Sequence, residues 1–73
     1  MPTVTHGEFR IKGIKDGTLY RARVERSDGA EFQADGNTTK VWETAQSMDA
    51  ETAIGQAIYA IDTGKIKHAG PSP

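Results

Sequence analysis

The sequence predicts an α+β domain, in which an antiparallel β-meander of three to four strands is followed by one helix that packs on one face of the sheet. Two observations support this prediction. Asp16-Gly17 and Asp28-Gly29 each lie between runs of alternating apolar and charged residues, and Asp-Gly in that setting is a strong hairpin signal. From Asp49 onward the apolar residues recur at helical spacing instead. A sheet covered on one face by one helix is a complete two-layer domain.

The strands are predicted from alternation and from residue type. Residues 8–14, 19–26 and 30–35 are predicted as three consecutive strands. Gly36-Asn37 is a further turn signal, and the β-branched and aromatic residues of segment 38–44 predict a fourth strand after it.

The predicted helix begins near Asp49 and ends before Gly64. Ser47 or Asp49 can act as the N-cap, and Gly64 suits the left-handed residue that follows a last helical turn. One helix face is apolar, through residues that recur every three or four positions, namely Ala50, Ala53, Ile54, Ala57, Ile58 and Ile61.

The single domain is predicted to cover residues 7–64. Residues 1–6 are short, polar and proline-bearing, and they are expected to form a flexible N-terminal tail. Residues 65–73 end in Gly-Pro-Ser-Pro and are expected to form a flexible C-terminal tail.

The two Asp-Gly turns set the expected strand register. A two-residue Asp16-Gly17 loop places Phe9 opposite Val24. For the second turn, a three-residue loop of residues 27–29 with Gly29 in the left-handed conformation keeps Phe32 on the apolar face, opposite Val24. The residues then expected to pack against the helix are Phe9, Ile11, Tyr20, Ala22, Val24, Phe32 and Ala34.

The same register gathers four basic residues on the other, open side of the sheet, which we call the basic face: Arg10, Lys12, Arg21 and Arg23. Lys12 is predicted opposite Arg21 and Arg10 opposite Arg23, and like charges in such pairs repel each other. Two interpretations stay open. The basic face is either a surface that binds an anionic partner or a solvated sheet face that neighbouring carboxylates partly neutralise.

Trp42 is the fifth candidate residue of this surface. A two-residue loop at Gly36-Asn37 points Val41 into the core and Trp42 outward, whereas a three-residue loop reverses the two side chains. An outward indole beside the arginines could stack on a nucleic-acid base or hold a cation–π contact. A large aromatic residue in so small a protein is more often part of the core.

Composition and the lack of reactive groupings argue against catalysis. The chain has 73 residues, no cysteine and a net charge of −1. Its two histidines, His6 and His68, lie near opposite ends, so no metal site is expected. No serine lies in a nucleophile motif, and no glycine-rich loop suits a phosphate. We therefore predict no enzyme activity, no cofactor and no small-molecule pocket.

Nothing in the sequence indicates membrane insertion or export. No apolar stretch is long enough to cross a bilayer. Residues 1–6 contain neither the basic region nor the apolar region of a signal peptide, so the expected location is the cytoplasm.

The layout resembles that of two groups of small bacterial sheet-plus-helix domains. The turn and strand at residues 16–24 (Asp-Gly-Thr-Leu-Tyr-Arg-Ala-Arg-Val) and the helix start within residues 47–58 are similar to those of HicB-type antitoxin domains. They also resemble the arm-binding domains of tyrosine recombinases, a resemblance that implies DNA binding through the sheet. The similarity covers about residues 16–61 and rests on turns and alternation, so it assigns no individual site residue.

Two functions are predicted from these features. The first is a small non-enzymatic interaction module that binds a protein partner or a second copy of itself, because a sheet of this size leaves an exposed edge strand. The alternative is weak, salt-dependent nucleic-acid binding through the basic face and Trp42.

Overall fold

The computed structural model describes residues 3–68 and confirms the α+β fold, with one helix packed on an antiparallel sheet. The strands form two sheets, a main sheet with the order β1-β2-β3-β6 and a small sheet with the order β5-β4-β7. In chain order the elements are β1 (Thr3–His6), β2 (Phe9–Asp16), β3 (Leu19–Arg26), β4 (Phe32–Ala34), β5 (Asn37–Thr39), β6 (Trp42–Glu43), α1 (Ala50–Asp62) and β7 (Ile66–His68).

Strands β1, β2 and β3 form an antiparallel meander, in which β2 and β3 are predicted strands and β1 comes from the predicted N-terminal tail. The register of β2 with β3 differs from the prediction. Asp16 pairs with Leu19, so the loop consists of Gly17 and Thr18. Gly17 has a φ of +68° at the first loop position, and this pattern is typical of a type II′ turn. Phe9 consequently lies opposite Arg26, two residues farther along β3 than predicted. Since a displacement of two residues preserves the alternation of side chains, the predicted faces of both strands are retained.

Two glycines make a matched test of backbone conformation. Gly17→Ala should lower the free energy of unfolding by about 1–2 kcal/mol, because alanine resists the left-handed φ that the turn requires. Gly55→Ala should raise it by about 0.5–1 kcal/mol, because Gly55 lies exposed inside α1 and an added Cβ meets nothing within 4 Å. Urea denaturation measures both effects. If Gly17→Ala were as stable as the parent, the assigned turn would be contradicted.

The prediction that the strand after β3 pairs with it is wrong. Gly29 has the predicted positive φ, +78°, yet β4 joins the small sheet, and β6 lies beside β3 instead. Asp35 and Gly36 have φ values of +53° and +79°, which is the type I′ pattern, and they fold β4 back directly onto β5. Phe32 and Ala34 are buried in the core, as predicted, but the strand that carries them does not lie beside β3.

The predicted fourth strand over residues 38–44 is two separate strands, β5 and β6, which belong to different sheets. The hydroxyl of Thr39 donates to the Val41 carbonyl and accepts from the Val41 N–H. Such local side-chain bonds to the backbone compete with strand pairing, and here they occur where the chain leaves one sheet for the other.

The predicted tails are shorter than expected, because residues 3–6 and 66–68 form strands. The Gly7 turn, with a φ of +63°, lets β1 pair with β2 along its whole length, and His6 Nε2 lies 2.7 Å from Asp62 Oδ1 at the end of α1. At the other end, β7 pairs with β4, and Ile66 is only 2% exposed. The remaining parts of the predicted tails, residues 1–2 and 69–73, lie outside the described residues.

The helix and most of the predicted core are confirmed. Asp49 is the N-cap, and its carboxylate accepts from the Thr52 N–H at 2.7 Å. Gly64 has the predicted left-handed φ, +83°. Of the predicted core residues in the strands, Tyr20 alone is only partly buried, and Ile66 joins the core from outside the predicted domain. The buried apolar residues are Phe9, Ile11, Ala22, Val24, Phe32, Ala34, Ala53, Ile54, Ala57, Ala60 and Ile66.

Candidate functional site

The basic face lies on the open side of the main sheet, as predicted, but its cross-strand pairs differ. Lys12 lies opposite Arg23, and Arg10 lies opposite Glu25. Arg21 lies opposite Ile14. The predicted pairs of Lys12 with Arg21 and of Arg10 with Arg23 are therefore wrong, and only one directly opposed pair of like charges remains.

Carboxylates neutralise most of the basic face. Arg21 Nε donates to Asp16 Oδ2 at 2.6 Å, and Arg23 Nη2 lies 2.9 Å from Glu43 Oε2. Lys12 Nζ lies 3.6 Å from Glu25 Oε1. Within residues 3–68, Arg10 is the one member of the basic face without an ion pair.

The Asp16 carboxylate is held in its charged form by two donors. Hydrogen bonds first from Arg21 and then from Gln46 lower the pKa of Asp16 below its ordinary value. The carboxylate therefore stays ionised at neutral pH and offsets the charge of Arg21, so this end of the basic face carries little net positive charge.

Trp42 does not belong to the basic face. It lies directly opposite Val24, which is completely buried, and directly opposed residues in a sheet project to the same side. The indole is therefore on the helix side of the main sheet, partly buried against the core. The candidate surface predicted from sequence consequently separates into two, and only its four basic residues share a face.

Trp42 lines a groove on the helix side, and this groove corrects the prediction that the domain has no pocket. The groove is open, encloses about 540 Å³, and lies between α1 and the segment of residues 42–45, which we call the edge segment. That volume falls within the range of ligand-binding clefts. Its lining residues are Trp42, Thr44, Ala45, Thr52, Gly55, Gln56, Tyr59, Ala60, Thr63 and Lys65.

Two charged side chains fix the Trp42 ring at one end of the groove. Indole Nε1 donates to Asp35 Oδ2 at 3.1 Å. Lys65 Nζ lies 5.8 Å from the ring centroid, within cation–π range, and 3.7 Å from Asp35 Oδ1. Asp35 belongs to the β4–β5 turn and Lys65 follows α1, so the small sheet and the end of the helix together position the indole. The groove therefore has a preformed aromatic wall.

The edge segment is open on the side away from β3. The Thr44 N–H donates to the Ala22 carbonyl, and the Thr44 hydroxyl accepts from the Ala22 N–H. Since backbone groups alternate in direction along a strand, those of Glu43 point away from β3. No strand among residues 3–68 pairs with this outer edge of β6.

No family model, curated protein or solved structure matches this chain. The resemblance to HicB-type antitoxin and recombinase arm-binding domains therefore stays a sequence-based prediction.

The described residues that line the groove offer a ligand several kinds of contact. The groove presents aromatic rings, an amide, hydroxyls and one ammonium group. Across residues 3–68, no group of three or more histidine, aspartate or glutamate side chains could hold a metal ion. In the same part of the chain, no helix has the length and apolar character that a bilayer crossing requires.

Proposed function

We propose that this chain is a non-enzymatic interaction domain that pairs with a second copy of itself along strand β1. The observation that supports this is the composition of the edge. β1 is the outermost strand of the main sheet, and its residues are Thr3, Val4, Thr5 and His6. It contains no lysine, proline or bulge, which are three of the features that block pairing at a sheet edge.

Symmetry restricts how two copies can pair. A two-fold axis that brings identical edges together in antiparallel fashion must run perpendicular to the sheet, so both helices lie on the same side. Each residue must then oppose a residue of like orientation in the other copy. In the two registers with the most overlap, either Val4 or Thr5 lies opposite itself, and the two main sheets join into one.

Single-cysteine variants test this pairing, because the chain has no native cysteine. We expect Val4→Cys or Thr5→Cys to form a disulfide-linked dimer under mild oxidation, since Cα atoms of opposed antiparallel residues are about 4.5–5.5 Å apart and a disulfide bridges that distance. Thr18→Cys, in the exposed β2–β3 turn, is the matched control and should form no disulfide-linked dimer.

Sedimentation equilibrium provides the second measurement. The parent chain should show a dimer that dissociates on dilution, and Thr5→Lys should weaken it in either register because a lysine on an edge strand disfavours pairing. A strict monomer at millimolar concentration, or equal crosslinking of all three cysteine variants, would rule out self-pairing through β1.

Nucleic-acid binding through the basic face is the second candidate, and the exposed Arg10, which has no ion pair within residues 3–68, is the observation that favours it. Ion pairs to the other three basic residues make it the weaker candidate, since little net charge is left to attract phosphate. Titration with DNA and RNA at low salt should shift NMR resonances around Arg10, and Arg10→Ala should abolish the shifts. Unchanged resonances on this face would exclude this function.

A further inference from the structure

We propose that the groove between α1 and the edge segment binds an extended peptide, which adds a strand to the free edge of β6 and inserts a large apolar side chain beside Trp42. This site lies on the opposite edge of the main sheet from β1. The proposal is therefore independent of self-pairing through β1.

The position of the groove between a helix and an open strand edge is the first support. An extended peptide beside β6 can bond to the outward backbone N–H and carbonyl of Glu43, while its alternate side chains enter the groove. Backbone hydrogen bonds of this kind provide affinity that does not depend on the sequence of the peptide. The groove then determines which side chain of the peptide is preferred.

The helix wall of the groove leaves room for such a chain. Gly55 lines the groove, and an added Cβ there would meet nothing within 4 Å. A glycine inside an exposed helix lowers stability relative to alanine, and its absent side chain lets another backbone approach closely. Tyr59, one turn farther along the helix, lines the same groove with 72% of its surface exposed. An inserted apolar side chain would cover that aromatic surface and contact Trp42.

Charge complementarity indicates the rest of the ligand. Among the described residues that line the groove, Lys65 carries the only full charge, and it lies at the Trp42 end. Its side chain is 54% exposed, so the ammonium group is accessible to a second anion beside Asp35. The complementary peptide carries its C-terminal carboxylate next to its large apolar residue.

Trp42 is the only tryptophan in the chain, so its fluorescence reports directly on the groove. The probes are N-acetylated hexapeptides in which threonine alternates with phenylalanine, leucine or isoleucine and which end in a free carboxylate. We expect at least one of them to change Trp42 fluorescence to saturation, and the same peptides with alanine as the variable residue to have no effect. Amidation of the C-terminus should weaken binding about two- to fivefold, as expected for an exposed ion pair.

A matched pair of helix variants tests the location. Gly55→Leu fills the groove and should weaken binding by about tenfold or more. Glu51→Leu introduces the same side chain on the same exposed helix, outside the groove lining, and should bind like the parent. Lys65→Met should remove the preference for a free C-terminal carboxylate over an amide. The preference for large apolar residues over alanine should remain.

The peptide backbone gives the decisive readout. Two peptides are compared, one N-methylated at its odd-numbered amides and one at its even-numbered amides. One of them should bind about tenfold more weakly and the other should keep its affinity, because only every second amide faces the β6 edge. Fluorescence that does not change with any peptide up to about 1 mM would overturn the proposal. Two other results would also overturn it and indicate a small-molecule site. One is that N-methylation weakens binding equally at every position, and the other is that simple apolar amino-acid amides bind in the same way as the peptides.

Discussion

Phe32→Ala is expected to lower the free energy of unfolding by about 3–5 kcal/mol. Phe32 is completely buried, and its ring meets the ring of Phe9 edge-on, with centroids 5.4 Å apart and an interplanar angle of 82°. This contact joins the small sheet to the main sheet. Small domains have total stabilities of about 5–15 kcal/mol, so much of the variant should be unfolded at room temperature if the parent lies at the low end of that range.

Circular dichroism with urea denaturation measures this loss. Phe32→Leu is the matched control, because it keeps an apolar side chain in the same site and should cost clearly less than alanine. A loss of under 1 kcal/mol for Phe32→Ala would contradict the packing of the small sheet against the core.

Ile66→Ala is expected to cost about 2–5 kcal/mol, the second-largest effect. Ile66 is 2% exposed, lies opposite Ala34 in the small sheet, and belongs to a segment that the sequence predicts to be a flexible tail. A residue in a flexible tail could be replaced at almost no cost, so this variant distinguishes the two descriptions.

The neighbouring Lys67 provides the control for that experiment. Its side chain is exposed in the same strand, so Lys67→Ala should change stability by no more than about 0.5 kcal/mol. Equal effects of the two substitutions would show that β7 contributes no specific packing.

The elements that sequence predicts well here are those that local chemistry determines. The helix follows from its apolar spacing, its Asp49 cap and Gly64, and all of these act within a few residues. The faces of β2 and β3 follow from alternation, which tolerates the two-residue error in register. Alternation cannot distinguish registers that differ by two residues, because both bury the same side chains.

The partners of β4 could not be predicted in this way, because they depend on distant residues. Phe32 and Ala34 are apolar at alternate positions, and that pattern suits pairing with β3 as well as with β5 and β7. The Asp35-Gly36 turn is the local signal that was available, since Asp-Gly favours a type I′ hairpin that folds β4 back on β5. No comparable signal indicates that residues 66–68, more than thirty positions later, complete the small sheet.

The candidate site was only partly predictable for the same reason. The four members of the basic face share two strands, so alternation alone places them together. Their ion pairs with Asp16 and Glu43 depend on register and on the position of β6, which the sequence did not reveal. The groove depends on how α1 lies beside the edge segment. The one feature of the sequence that indicates the groove is the polar face of the helix, with Gly55 and Tyr59. The same residues would also suit an ordinary solvent-exposed helix face, so they do not predict a groove.

The pairing of β7 with β4 has a consequence for synthesis of the protein. During translation the β1–β3 meander emerges first, but Phe32 and Ala34 lack one neighbouring strand until residues 66–68 have left the ribosome. The core can therefore close only after residues 66–68 are available, and long-range pairings of this kind slow folding. Until then the nascent chain exposes its apolar surface to chaperones and proteases, so any truncation before Ile66 should produce a degradation-prone fragment rather than a smaller stable domain.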